Sequence, residues 1–147
     1  MGNNQQGGFT LIEILIVIVV IGILVAIAIP QYRSFKDKSY NVACKADLAN
    51  IRQAAEAFYL NNDHYPDSIA PTIGAIVLQT TGAEPVHIHL TNKVYFGMKS
   101  SAASYAMATK HLLGTQVVSL TSAETTPKET GSKRGAPLAA SDIPGAP

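Results

Sequence analysis

The sequence predicts an α+β fold: a long N-terminal α-helix packed on a small antiparallel β-sheet. Three observations carry that prediction. Residues 9–29 form an apolar run with one ionisable side chain, Glu13. Cys44, Leu48, Ile51, Ala55 and Phe58 follow at spacings of four, three, four and three, which places them on one stripe of a helix. Between residues 86 and 120, short runs alternate apolar and polar and are punctuated by turn residues, as successive strands are.

The apolar run comes first. At about 1.5 Å per residue, a helix of this length just crosses a hydrocarbon layer of roughly 30 Å. Its apolar side chains go all round, which excludes an amphipathic surface helix. Residues 9–30 are therefore expected to be a transmembrane helix. Glu13 is the anomaly in it, about one turn inside the N-terminal end. A carboxylate at mid-bilayer costs about 2.5–3.5 kcal/mol on insertion scales and less near an end, and intramembrane acids mark a partner. Glu13 either reaches the head groups or takes a proton, or it is neutralised by a cation from another chain. The nearest source of such a cation is a free amine at Phe9, created if the chain is cut after Gly8. A secretory signal peptide is cut after its apolar region. Here the small residues Gly7 and Gly8 precede it, so a cut there leaves the helix in place. Gly22 and Pro30 are the expected weak points of the helix, since an interior proline costs about 3 kcal/mol and glycine about 1 kcal/mol relative to alanine. Residues beyond Pro30 again read as helix, which favours a kink there over a stop.

Gly8-Phe9-Thr10-Leu11-Ile12-Glu13, a long apolar run and Pro30 together resemble the prepilin signature of the type IV pilin family, which includes the pseudopilins of type II secretion. The resemblance extends over residues 1–66. Within it Tyr32, Phe35, Tyr40, Phe58, Tyr59 and Tyr65 look most like the short pilins of Geobacter-type bacteria; beyond residue 68 it is architectural. It implies a leader over residues 1–8, cut between Gly8 and Phe9 on the cytoplasmic face by a prepilin peptidase that also methylates the Phe9 amine. It implies that Glu13 pairs with a neighbour's Phe9 amine during filament assembly, and that the helix can melt between Gly22 and Pro30 in an assembled fibre. Family leaders usually carry Lys or Arg; this one has none, and Arg33, Lys36 and Lys38 lie beyond the span, opposite to the positive-inside rule.

Residues 31–66 are expected to be an amphipathic helix, ended by the breakers of Asn61-Asn62-Asp63-His64-Tyr65-Pro66. Arg52 and Glu56, four apart, are placed to pair. Residues 67–120 form the expected sheet head. Residues 67–71 read as loop, and 73–80 as either a strand or a short helix. Residues 86–90, 94–98, 105–109 and 116–120 read as an antiparallel meander, with Val86, Ile88 and Leu90 inward. Residues 121–147, rich in Ser, Thr, Pro, Gly and Ala, are expected to be a disordered tail; its Ser/Thr-Pro composition suits O-linked sugar.

With 147 residues, a net charge of +1 and a single cysteine, the chain shows neither the charge of a nucleic-acid binder nor the means for an internal disulfide. Cys44 on the apolar stripe reads as a core residue. There is no internal repeat and no Asn-x-Ser/Thr acceptor. No nucleophile elbow, phosphate loop, dinucleotide fingerprint or HExxH occurs, and the carboxylates are scattered, so no enzyme and no cofactor is expected. His87 and His89 share one face of a strand. Two imidazoles at that spacing can hold a metal, but no further ligands are evident and no metal is expected. The helix aromatics read as packing residues rather than a path for electrons.

Two functions follow. The first is a structural subunit of a type IV pilus, waiting in the inner membrane with its N-terminus cytoplasmic and polymerising into an extracellular homo-oligomer through the pilus assembly machinery; a pseudopilin of type II secretion is its near alternative. Pseudopilins of the family tend to bind calcium after the sheet, and the sparse acids beyond Leu120 favour the pilus. The second is a monomeric, membrane-anchored binding module that uses the sheet.

Overall fold

A computed structural model describes residues 8–145. Of the expected leader, residues 1–7 lie outside the described residues, as do 146 and 147 of the tail. Helix α1 spans Leu11–Asn62 and passes through both Gly22 and Pro30. The chain divides into two units, Met1–Lys36 and Asp37–Pro147.

In the first unit, every large apolar side chain of the run faces outward, from 45% exposed at Val25 to 85% at Phe9. This part of α1 is long and apolar enough to cross a membrane, and none of it is buried within the chain. Pro30 removes the N–H that would have bonded Ala26, yet helix continues on both sides of it.

In the second unit the helix is amphipathic and docked. Cys44, Leu48, Ile51, Ala55 and Phe58 are all buried, as their spacing predicts. The helix stops at Asn62, within the expected breakers 61–66. Asp63 takes a left-handed φ of 59° and donates its N–H to the Tyr59 carbonyl at 2.8 Å, an αL-type end, and Pro66 follows.

The stripe packs on a five-stranded antiparallel sheet with the order β1-β4-β5-β6-β7. Its strands are β1 (Ile69–Ile73), β4 (Val94–Ser100), β5 (Tyr105–His111), β6 (Gln116–Thr121) and β7 (Lys128–Gly131). Between β1 and β4 the chain forms a separate hairpin, β2 (Ala75–Leu78) with β3 (Val86–His89). Val94, Phe96 and Met98 of β4, Tyr105 and Met107 of β5, and Val118 and Leu120 of β6 meet the helix stripe in one core, joined by Ile76 and Leu78.

Three expectations need correction, and one open alternative is decided. Residues 69–71 are strand, not loop, because β1 pairs with β4 at the sheet edge (Ile69 opposite Met98, Ile73 opposite Tyr95). Of the two alternatives for residues 73–80, residues 75–78 take the strand, since β2 pairs with β3 in full register. The meander omits β3: Gly74, at φ 95°, turns the chain out of the main sheet and its carbonyl accepts from Leu90. There Leu90 is buried and Ile88 half-buried, but Val86 is exposed. Finally, residues 121–147 are not a disordered tail over their described part. Residues 128–131 add β7 to β6, and residues 132–145 run as a strap with a 3₁₀ turn at Ala140–Asp142.

That strap covers the sheet face opposite the helix. Leu138 and Ile143 pack with Ala106, Ala108 and Val117, so β5 is buried on both faces along its whole length. Lys110 is fully buried there and donates from Nζ to the carbonyls of Lys133 (3.0 Å) and Ala136 (2.5 Å). Lys99 Nζ donates to the Ile143 carbonyl at 3.0 Å, and Arg134 pairs with Asp37.

Candidate functional site

The N-terminal turn of α1 is built by Thr10 and Glu13. The helix begins at Leu11, so Thr10 is its N-cap and Glu13 stands at the third helical position. Glu13 Oε2 accepts from the Thr10 N–H at 2.7 Å and from the Thr10 hydroxyl at 2.6 Å. In return the Glu13 N–H donates to Thr10 Oγ1 at 3.3 Å. This is a reciprocal capping box, encoded as Thr-x-x-Glu. It satisfies donors that would otherwise be orphaned at a helix end, and it holds a negative charge at the positive end of the helix dipole. This capping role stands beside the three expected for Glu13, a head-group contact, a protonated acid or a charge met by another chain, and the Thr10–Glu13 spacing is its signal in the sequence.

Gly8, Phe9 and Thr10, on either side of the expected cut, are all exposed. At Gly22 a Cβ would meet nothing within 4 Å outside the helix's own backbone, so packing within this chain does not require glycine there. Pro30 likewise sits on an exposed part of the helix.

Residues 3–29 match the family model described as the prokaryotic N-terminal methylation motif. The chain is 40% identical over 82 residues to type II secretion system core protein G of Pseudomonas aeruginosa, a match covering 56% of this chain and 57% of that protein. It is 42% identical over 65 residues to the type IV major pilin protein PilA of Myxococcus xanthus, covering 44% of this chain and 30% of that one. A fimbrial protein of Pseudomonas aeruginosa is 39% identical over 68 residues, covering 46% of this chain and 44% of its own length. The chain carries the methylation motif over residues 3–29 and is similar to type IV pilins and type II secretion pseudopilins over its N-terminal half. It spans about half the length of these curated relatives or less. The α+β architecture is of the type IV pilin-like kind, and pilins and pseudopilins are structural subunits rather than enzymes.

The other candidates of this chain are dispersed. His87 and His89 are exposed on β3, opposite Val77 and Ala75 of β2. Among the described residues, no group of three or more His, Cys, Asp or Glu is placed to hold a metal. The three acids beyond Leu120 are each engaged: Glu124 with Thr121 and Lys128, Glu129 with Lys45, and Asp142 with the Ala139 N–H. Cys44 is fully buried, and burial pushes its thiol up to about 11.

Of the helix aromatics, Tyr32 and Phe35 are exposed, Phe58 is in the core, and Tyr40 stacks on His111. Tyr59 stacks on Tyr65, which meets Tyr105 edge-on at 4.7 Å. Glu56 does not take the expected Arg52. Its carboxylate accepts from the hydroxyls of Tyr65 (3.0 Å) and Tyr105 (2.7 Å), while Arg52 donates to the Thr125 carbonyl. Asp47 similarly accepts from the N–H and hydroxyl of Thr91. Sequence reasoning missed the Glu56–Tyr105 and Asp47–Thr91 ties, because those partners lie more than forty residues apart.

Proposed function

We propose that this chain is a filament subunit, anchored in the inner membrane by residues 9–30 with its N-terminus cytoplasmic and assembled through that helix into an extracellular type IV pilus. A prepilin peptidase cuts between Gly8 and Phe9 and methylates the Phe9 amine. Glu13 then pairs with the Phe9 amine of a neighbouring copy in a homo-oligomer built by the pilus machinery. The observation that carries this reading is the apolar first unit with one acid: among the described residues its side chains are exposed, while Glu13 sits one turn from the amine that cleavage would create. Each Val, Leu or Ile buried between copies contributes about 1.5–3 kcal/mol relative to water. An unpaired charge in that packing is costly, so register follows from pairing. The capping box supports the mechanism by keeping Glu13 at the helix start before assembly.

The near alternative is a pseudopilin of type II secretion. It is supported by the longer reach of the match to core protein G, 56% of this chain against 44% for PilA. Mass spectrometry of the mature N-terminus tests the shared core of both readings. A chain beginning at methylated Phe9 is expected; one beginning at Met1 overturns processing and leaves the anchored binding module. Deletion then separates the two alternatives: loss of surface fibres supports the pilus, and accumulation of unsecreted exoproteins supports the pseudopilin.

A further inference from the structure

His111 ends β5 and is buried, 5% exposed, at a corner where three elements meet. From α1, Tyr40 stacks on its ring with centroids 4.2 Å apart and planes 6° from parallel. From the β5–β6 turn, the Leu113 N–H donates to His111 Nδ1 at 3.0 Å, and the Gly114 N–H donates to the His111 carbonyl at 2.9 Å. The same turn is tied to the helix at the next residue: Asn41 Oδ1 accepts from the Thr115 N–H at 3.3 Å, and Asn41 Nδ2 donates to Thr115 Oγ1 at 3.4 Å. A Cβ at Gly114 would lie 2.9 Å from Asn41 Oδ1, so helix and turn are in direct contact.

The bond from Leu113 fixes the chemistry of the ring. A backbone N–H can donate only to an imidazole nitrogen that carries no proton, and in the cation both nitrogens are donors. Protonating His111 would therefore point two N–H groups at each other inside a buried corner. It would also place a charge there beside Lys93.

We propose that His111 is an acid-released latch: neutral, it holds Tyr40 and Asn41 of α1 on the β5–β6 turn, and protonated, it lets them go. The groups facing it decide the direction. On α1 these are Tyr40 and Cys44; the Cys44 thiol, pushed up to about 11, stays neutral across mildly acidic pH. Asp37, one turn earlier, is paired with Arg134, and Asp47 further along is engaged by Thr91. From the loop before β4, Lys93 disfavours the cation and the Asn92 backbone favours it. Lys110, next on β5, lies on the opposite face under the strap. Burial acts most strongly and holds His111 below the usual histidine range, with Lys93 adding to it. A histidine lowered in the fold contributes stability that is fully present above its unfolded value, about 6.5, and that is lost as pH falls through the lower folded value. Acidification thus loosens the start of the docked helix.

The test uses the full-length chain in detergent micelles, wild type and His111→Gln. Gln retains an acceptor oxygen but does not titrate. Hydrogen exchange at the amides of Tyr40, Asn41 and Thr115, corrected for intrinsic rate, is expected to lose at least tenfold protection between pH 7.5 and pH 5 in the wild type and less than twofold in the variant. Asp47 and Glu56 remain in both, so their own acid response subtracts out. Imidazole nitrogen NMR of the wild type is expected to show an unprotonated, hydrogen-bonded Nδ1 at His111 at neutral pH. Equal loss of protection in both proteins, or an Nδ1-protonated His111, overturns the latch. Should His111→Gln fail to fold, the triple variant His64→Gln, His87→Gln, His89→Gln replaces it. It must keep the whole acid response, and losing that response overturns the proposal.

Discussion

Glu13 and Glu56 are carboxylates with contrasting work. Glu13 is exposed and caps its own helix through Thr10, so removing its charge and removing the cap are separable changes. Glu13→Gln abolishes the charge that would meet a neighbour's amine, and fibre yield by electron microscopy is expected to collapse while membrane insertion persists. Thr10→Val removes the N-cap hydroxyl, which costs the helix end about 1 kcal/mol, but keeps the charge; fibres are expected to form, in reduced amount. Normal fibres from Glu13→Gln would end the pairing mechanism. Glu56 instead joins the helix to two tyrosines, one of them, Tyr105, fully buried. Glu56→Ala orphans the Tyr105 hydroxyl and is expected to cost about 2–3 kcal/mol in chemical denaturation. The same contact sets an alkaline limit. Burial first, then the bond to Glu56, pushes Tyr65 up to about 12 and Tyr105 higher still. A tyrosine raised in the fold contributes stability that is intact below its unfolded value, about 10, and lost as pH climbs through the folded value. Wild type should therefore weaken between pH 10 and 12, whereas Tyr65→Phe/Tyr105→Phe should weaken less steeply over that window.

At the scale of elements, the strap is the part whose behaviour departs most from its composition. Residues 132–145 contribute only two buried large apolar side chains, Leu138 and Ile143. Their low apolar content points to disorder, and the signal is blind to what holds them: lysine-to-carbonyl bonds from Lys99 and Lys110, and a flat place at Gly97. A Cβ at Gly97 would come within 2.6 Å of Ile143 Cδ1 and 3.3 Å of Pro71 Cγ. Gly97→Ala is expected to cost about 1–3 kcal/mol through overpacking, and Ile143→Ala about 2–5 kcal/mol through the cavity it leaves. The double variant should cost less than their sum, since the shorter side chain relieves the clash; additive losses in denaturant titrations would place Ile143 elsewhere. Truncation after Thr121 would strip one face of β5 and should unfold the head, where a disordered tail predicts no change. The docked half of α1 was legible because a five-residue stripe at helical spacing is a strong periodic signal. β1 was not, since Ala70-Pro71 reads as a loop and only pairing to β4 makes it a strand. β3 alternates cleanly, but alternation says nothing about which sheet a strand joins. At the candidate site, the lone acid Glu13 in the apolar run was legible in the sequence, and the cap it forms with Thr10 was hidden in the same motif.

For the whole molecule, the division at Lys36 and Asp37 separates two kinds of cohesion. Every member of the main core lies beyond Asp37, from Cys44 on the helix to Leu120 on β6. The described residues of the first unit are all exposed. The head therefore carries its own second layer, the helix from Asp37 to Asn62, and should not depend on the apolar run for its fold. A fragment beginning at Asp37 is expected to be monomeric without detergent and to melt within a few degrees of the full-length chain in micelles. Starting the fragment after Asn62 removes the stripe that covers Phe96, Met107 and Val118, and that fragment should not fold. If the Asp37 fragment melts far lower, the apolar half of α1 supports the head as well as the fibre. If it matches, residues 9–30 are free to answer only to the membrane and to other copies. The all-round apolar surface would then be selected for lipid and neighbours alone, because none of it is buried among the described residues.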